Sequence, residues 1–182
     1  DYDNDGTYDQ QLVVSAAGTY QFQNSSAFLD GLHTVRSHFT PSAGSDLEET
    51  LDIAVDTVAP SVPDVPDLNA ASDSGILNTD NITNDSTPTL DLSGFDTYYR
   101  LYRDAVQVSV DYATEFSFTE ASPLTDGSYN YTLRAVDAAG NVSSATSALS
   151  VTIDTVAPSV PDVPDLNAAS DSGVSTSDDI TT

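Results

Sequence analysis

The chain opens with Asp1, Asp3, Asp5, a glycine at position 6, and Asp9, in the stretch DYDNDGTYD. Oxygen donors at one, three and five followed by a glycine form the front half of a calcium loop. Alternate side chains wrap one hard cation and the glycine permits the sharp bend. Position twelve is Leu12 rather than glutamate, so a bidentate closing ligand must come from elsewhere, with Asp9 as a candidate. Helix-loop-helix geometry is therefore not expected, and a solvated acidic turn is the plainer alternative.

A second group of oxygen donors comes from a block written twice without a substitution, DTVAPSVPDVPDLNAASDSG, at 56–75 and again at 154–173. Asp56 ends one unit and begins the next, Asp73, Asp80 and Asn81 lie in the loop-rich front of the following unit, and Asp137 and Asn141 lie in a turn at its end. Asp154, Asp171, Asp178 and Asp179 repeat these roles at the second boundary. Carboxylates and amides drawn from both sides of a boundary could complete a shell of about 6 to 8 oxygens around calcium and fix the angle between neighbours. Each residue taken singly reads equally as a turn or capping aspartate.

Composition favours a cation ligand role for the group. Of 29 acids only four are glutamate, against four basic residues, all arginine, for a formal charge of −25. Two carboxylates about 4 Å apart repel by roughly 1 kcal/mol in water and about 4 kcal/mol at an effective dielectric of 20, so clustered aspartates call for a counter-ion. No basic patch exists to neutralise phosphates, which argues against nucleic acid as a partner. Cysteine is absent, excluding disulfides and thiolate metal sites. Lysine is absent too, which excludes lysine–asparagine isopeptide cross-links. Neither a signal peptide nor an apolar run of roughly 20 residues is visible, so membrane insertion is not expected.

The elements that must position these donors are strands. The repeat length is 98 residues, from Asp56 to Asp154, and the earlier part of the chain joins the same register, with Asp30-Gly31 matching Asp126-Gly127. The expected organisation is the rear of one domain at 1–55, a complete domain at 56–153 and the front of another at 154–182. Phe116 and Phe118 alternate with polar residues, as do Tyr129, Tyr131, Leu133 and Ala135, and Leu149, Val151 and Ile153. Turns are expected at Asp126-Gly127 and Gly140-Asn141. No stretch of ten residues has helical spacing, so the fold class is all-β, an antiparallel sandwich. Prolines 60, 63 and 66, repeated at 158, 161 and 164, have polyproline spacing and read as a semi-rigid connector entering an edge strand. LTDGSYNY at Leu124–Tyr131 reads either as a tyrosine corner or as an ordinary hairpin with tyrosines on the core face. His33 stands where Tyr129 does, so the first domain is not expected to share such a corner.

DTVAPSVP, NTDNIT, DGSYNYTLRAVDAAGNVS and SALSVTIDT, in that order, resemble the bacterial immunoglobulin-like repeats of giant calcium-dependent surface adhesins. The resemblance covers nearly the whole chain. It implies tandem antiparallel immunoglobulin-like β-sandwiches, exported to the cell surface, that form a non-enzymatic extender region in which Ca2+ at domain junctions stiffens the string. PSAGS replaces DAAGN in the first domain, leaving Pro41 and Ser45 where Asp137 and Asn141 stand.

Neighbouring repeats of the same chain are the expected partners. Two alternatives stay open: a filament assembled head to tail by strand donation, and an accessory or sugar-binding module of a secreted polysaccharide-degrading enzyme. For the latter, Tyr98, Arg100 and Tyr102 share one strand face that could stack on a sugar or line a core rim. Catalysis is not expected. His33 and His38 face opposite sides of one strand, without the spacing of a zinc site or triad.

Overall fold

A computed structural model describes residues 27–41, 43–167, 169–171, 174, 175 and 179. Among the described residues there is no helix. The described residues form ten strands in three sheets: β1 (Gly31–Phe39), β2 (Leu47–Val55), β3 (Asp67–Leu68), β4 (Ile82–Thr83), β5 (Thr89–Asp91), β6 (Tyr98–Arg103), β7 (Val106–Gln107), β8 (Ser117–Thr119), β9 (Gly127–Val136) and β10 (Leu149–Ile153).

The alternation along β9 dictates the central layer. Tyr131, Leu133 and Ala135 are buried while Thr132 and Arg134 are half-buried on the other face. The strand pairs antiparallel with β6 on one side, Leu101 opposite Leu133, and with β10 on the other, Leu149 opposite Tyr131. The sheet order is β4-β10-β9-β6-β7. A second sheet, ordered β3-β5-β8, lies across the core. Leu68, Leu90, Leu92 and Phe95 from its side meet Tyr99, Leu101, Tyr131, Leu133 and Val151 in one apolar cluster. Each such large side chain contributes about 1.5–3 kcal/mol by leaving water, and this core holds the sandwich without a disulfide.

The parallel pairing of β4 with β10, Thr152 opposite Ile82 and Ile153 opposite Thr83, breaks the antiparallel pattern. It places the front loop of the sandwich beside the strand by which the chain leaves it. The proline connector is not a strand. β3 starts directly after Pro66, and Pro63 and Pro66 are themselves buried with Leu68, so the connector is packed on the domain it opens. β1 and β2 form a separate antiparallel hairpin, with Gly31 opposite Val55 and Phe39 opposite Leu47.

Two expectations need correction. Phe116 precedes β8 and is two-thirds exposed, where the alternation placed it beside Phe118 on the core face. Its carbonyl instead accepts the Leu92 N–H at 2.9 Å and its ring stacks on Phe95 at 5.1 Å, so it covers the end of the core. The second concerns the corner. The Tyr129 hydroxyl donates to the Thr125 carbonyl at 2.9 Å, the bond of a tyrosine corner. In the earlier hairpin, His33 Nε2 donates to the Leu29 carbonyl at 2.6 Å across the same four-residue interval. An imidazole N–H reaches the same acceptor position as a phenol O–H, so the corner is kept with different chemistry.

Candidate functional site

The Asp1, Asp3, Asp5, Asp9 loop and Asp178 lie outside the described residues. The other candidate donors fall into two groups.

The first group is the boundary. Asp137 and Asn141 close a turn in which the Asn141 N–H donates to Asp137 Oδ1 at 2.8 Å and the Asn141 side-chain amide donates to Oδ2 at 2.9 Å. Left-handed Gly140, with φ 93°, permits the tight return. The same Asn141 amide donates to the Asp56 carbonyl at 2.9 Å, which ties the turn to the start of the connector. Asn141 holds the Asp137 carboxyl below the usual carboxylate range, chiefly through its side-chain hydrogen bond. Asp56 Oδ1 is occupied by the Val58 N–H at 3.0 Å, and Asp154 Oδ1 receives Val156 N–H in the same way. The structure thus brings Asp56, Asp137 and Asn141 together as a directly hydrogen-bonded clamp.

Two further boundary residues were missed in the sequence. Asp30 Oδ1 accepts both the N–H and the hydroxyl of Thr57, and Asp126 Oδ1 does the same for Thr155. The signal was available: an aspartate recurs before the strand-opening glycine, and a threonine follows each boundary aspartate.

The second group is the front loop. Asn69 organises it by capping, its Oδ1 accepting Ala71 N–H and its carbonyl accepting Ser72 and Asp73 N–H. Asn167 makes the equivalent bonds to Ala169, Ser170 and Asp171. The loop turns Asp73 inward, where it is 4% exposed, and Asp171, its equivalent 98 residues on, is 2% exposed. Asp73 Oδ2 accepts Asn81 N–H at 3.3 Å, but among the described residues Oδ1 has no partner, and neither oxygen of Asp171 has one. Asp80 Oδ1 accepts Ile82 N–H at 3.1 Å, while Asp179 Oδ1 accepts Leu166 N–H. Asn81 and Asp179 are both left-handed, at φ 59° and 57°.

Gly75 shows how oxygen atoms gather here. A Cβ at this position would lie 3.0 Å from the Ile82 carbonyl oxygen, 3.4 Å from Asp80 Oδ1 and 3.6 Å from the Leu77 carbonyl oxygen. Three oxygens of different residues thus face a small volume that a side chain would fill. Among the described residues no three acidic or histidine side chains converge on one point, so a cation here would draw on carboxylates and backbone carbonyls together. Behind the loop, Asp85 accepts the Ser72 hydroxyl on Oδ2 and the Thr87 N–H and hydroxyl on Oδ1, and the Thr83 hydroxyl donates to the Ser72 carbonyl.

The topology with its parallel β4–β10 pair is that of an immunoglobulin-like sandwich, and a family model described as "Bacterial Ig-like domain" matches residues 59–155. The chain belongs to this family. A relative, Exoglucanase B of Cellulomonas fimi, is 37% identical over 109 residues, covering 60% of this chain. The chain spans 9% of that relative's length. For a bacterial Ig-like domain the site geometry is that of a built loop and a hydrogen-bonded boundary. His33 and His38 lie on opposite faces of β1 and form no catalytic constellation with each other.

Proposed function

We propose that the chain is a non-catalytic spacer of tandem Ig-like modules in an exported bacterial surface protein, and that calcium held in the front loop stiffens it. The observation that carries this reading is the pair Asp73 and Asp171. At the same position of two successive copies, a buried carboxylate keeps at least one oxygen without a partner. An ionised carboxylate deprived of water and left unpaired costs several kcal/mol, and a hard cation offsets that cost. Asp73 and Asp80, with the carbonyls of Leu77 and Ile82, are the candidate oxygens for such an ion; in the next copy Asp171 stands at the position of Asp73 and Asp179 at that of Asn81. When bound, calcium supplies positive charge, and the loop's carboxylates and carbonyls with water supply its oxygen shell.

The loop is well placed to transmit stiffness. The Asn81 carbonyl accepts Thr152 N–H at 2.8 Å and the Thr83 carbonyl accepts Asp154 N–H at 2.9 Å. Fixing the loop therefore fixes the last residues before the next connector. At the other end, the Asn141 clamp seats the incoming connector on the same sandwich.

Calorimetric titration with calcium, paired with thermal melts in calcium and in chelator, tests the reading. Extracellular modules bind with dissociation constants of about 10⁻⁴ to 10⁻³ M, and a ligand at about 100 times its dissociation constant adds roughly 2.7 kcal/mol. A raised melting temperature, lost in Asp73→Asn, is expected. Absence of binding heat with identical melts would overturn it. The exoglucanase relative favours a second reading, in which the module is an accessory domain beside the catalytic part of a secreted polysaccharide-degrading enzyme. Sequencing of the flanking gene separates the two hosts.

A further inference from the structure

The chain holds four arginines among 29 acids, and three of them, Arg100, Arg103 and Arg134, stand on β6 and β9. Arg103 pairs with the buried Glu120. The other two lie directly opposite each other in the ladder, on the outer face. Like charges facing across a strand pair are destabilising, and an acid at either position would have relieved the repulsion.

Their remaining contacts leave much of both guanidinium groups unused. Arg100 donates Nε to the Asp111 carbonyl at 3.2 Å and lies 3.5 Å from the exposed Asp111 carboxylate. Arg134 donates Nη1 to the Ser143 carbonyl at 3.1 Å and, among the described residues, is in no ion pair. Aromatic rings alternate with them: Arg134 sits 5.9 Å over Tyr102 and Arg100 5.8 Å over Tyr112. Between these groups is a shallow depression of about 370 Å³, lined by Arg100, Tyr102, Ala105, Thr132, Arg134 and Val142.

We propose that this face binds a carboxylated polysaccharide, with a uronate carboxylate between Arg100 and Arg134 and its pyranose ring beside Tyr102. Charge complementarity selects an anion, since a guanidinium fork matches a carboxylate in plane and spacing. A neutral glucan would leave the opposed cations unrelieved. The interleaved rings select an anion that carries an apolar ring face over an acidic peptide. Two arginines fall far short of the contacts that hold a phosphate backbone. The site is independent of the calcium-spacer reading and uses none of its residues.

Affinity electrophoresis of the full chain in gels carrying polygalacturonate, hydroxyethylcellulose or polyacrylate tests the assignment. Retardation by polygalacturonate alone is expected, weakened about tenfold in Arg134→Gln, the loss of one charge-assisted bond, and abolished in the Arg100→Gln, Arg134→Gln double variant. A parallel measurement needs no variant. Of the four arginine Nε–H resonances, those of Arg100 and Arg134 should shift with oligogalacturonate while those of Arg36 and Arg103 stay. No retardation, equal retardation by either control polymer, or unmoved Arg100 and Arg134 signals would overturn the proposal.

Discussion

Asn141 donates its side-chain amide to the Asp56 carbonyl at 2.9 Å, joining residues 85 apart in the chain. The same amide holds Asp137, so one residue couples the end turn of the sandwich to its incoming connector. Asn141→Ala should cost about 1 kcal/mol for the bond to Asp56, read by urea unfolding at neutral pH. The variant should also change the acid limb. A carboxyl held below its usual range contributes stability that is present above the unfolded-state value and lost as pH falls through the folded one. Wild type should therefore lose stability on acidification more steeply than Asn141→Ala. Parallel acid profiles would show that Asn141 does not govern Asp137.

The Tyr131 hydroxyl donates to Glu120 Oε1 at 2.8 Å, and Arg103 Nη1 lies 2.5 Å from Glu120 Oε2. Glu120 follows β8, whereas its partners stand on β9 and β6, so this polar bolt crosses from one sheet to the other. Removing one partner of a buried pair costs about 3–5 kcal/mol. Arg103 keeps about a quarter of its side-chain surface in water, so Glu120→Ala should fall near the lower end, about 3 kcal/mol. Tyr131→Phe, which spares the ion pair, should cost about 1 kcal/mol.

Alkaline pH addresses the same bolt. Burial first, and then the Glu120 hydrogen bond and charge, push the Tyr131 hydroxyl far above the ordinary tyrosine value, and burial also raises Tyr99. A group with a raised folded value gives stability that is full below the unfolded value of about 10 and lost as pH climbs toward the folded one. Tyrosinate absorbance should thus show a reversible step from the exposed rings first, with Tyr131 and Tyr99 ionising only afterwards, together with unfolding. Smooth ionisation of all nine tyrosines in the folded chain would contradict this.

His33 and Tyr129 make the same bond to a carbonyl four residues upstream. His33→Tyr should keep amide protection of β1 in hydrogen exchange, while His33→Phe should lose about 1 kcal/mol of it. Equal protection in both variants would mean that the imidazole bond contributes nothing.

How far the sequence could be read follows from the same residues. β9 and β10 were legible because each buries alternate side chains against one core, so period two survives in Tyr131, Leu133 and Ala135, and in Leu149, Val151 and Ile153. Phe116 was misplaced because period two does not say where a strand starts, and one residue outside β8 is enough to free its ring. Asp137 and Asn141 were expected as cation ligands in one end turn, and the structure shows them hydrogen-bonded to each other. Spacing alone does not distinguish a carboxylate awaiting a cation from one already satisfied by an amide, and the fold supplies that amide. Glu120 carried no signal at all, since a lone glutamate after a short strand reads as exposed until Arg103 and Tyr131 are brought to it.

Among the described glycines the tightest surroundings are at Gly94, where a Cβ would stand 2.4 Å from the Asp64 nitrogen and 2.9 Å from its carboxyl carbon. Asp64 N–H donates to the Ser93 carbonyl at 3.3 Å and the Ser93 hydroxyl donates to Asp64 Oδ2 at 3.0 Å. The connector is thereby laced to the loop after β5 through a gap that excludes a methyl group. Gly94 is also left-handed, with φ 76°, so alanine adds backbone strain to overlap. Gly94→Ala should destabilise by about 2–3 kcal/mol in urea unfolding, because the nearest clashing atom is the Asp64 backbone nitrogen, which cannot rotate away. Gly127 provides the control. Its φ of 149° is also positive, yet nothing lies within 4 Å of its would-be Cβ, so Gly127→Ala isolates strain from overlap and should cost less. If the two variants prove equally destabilised, the contact with Asp64 is not what seats the connector.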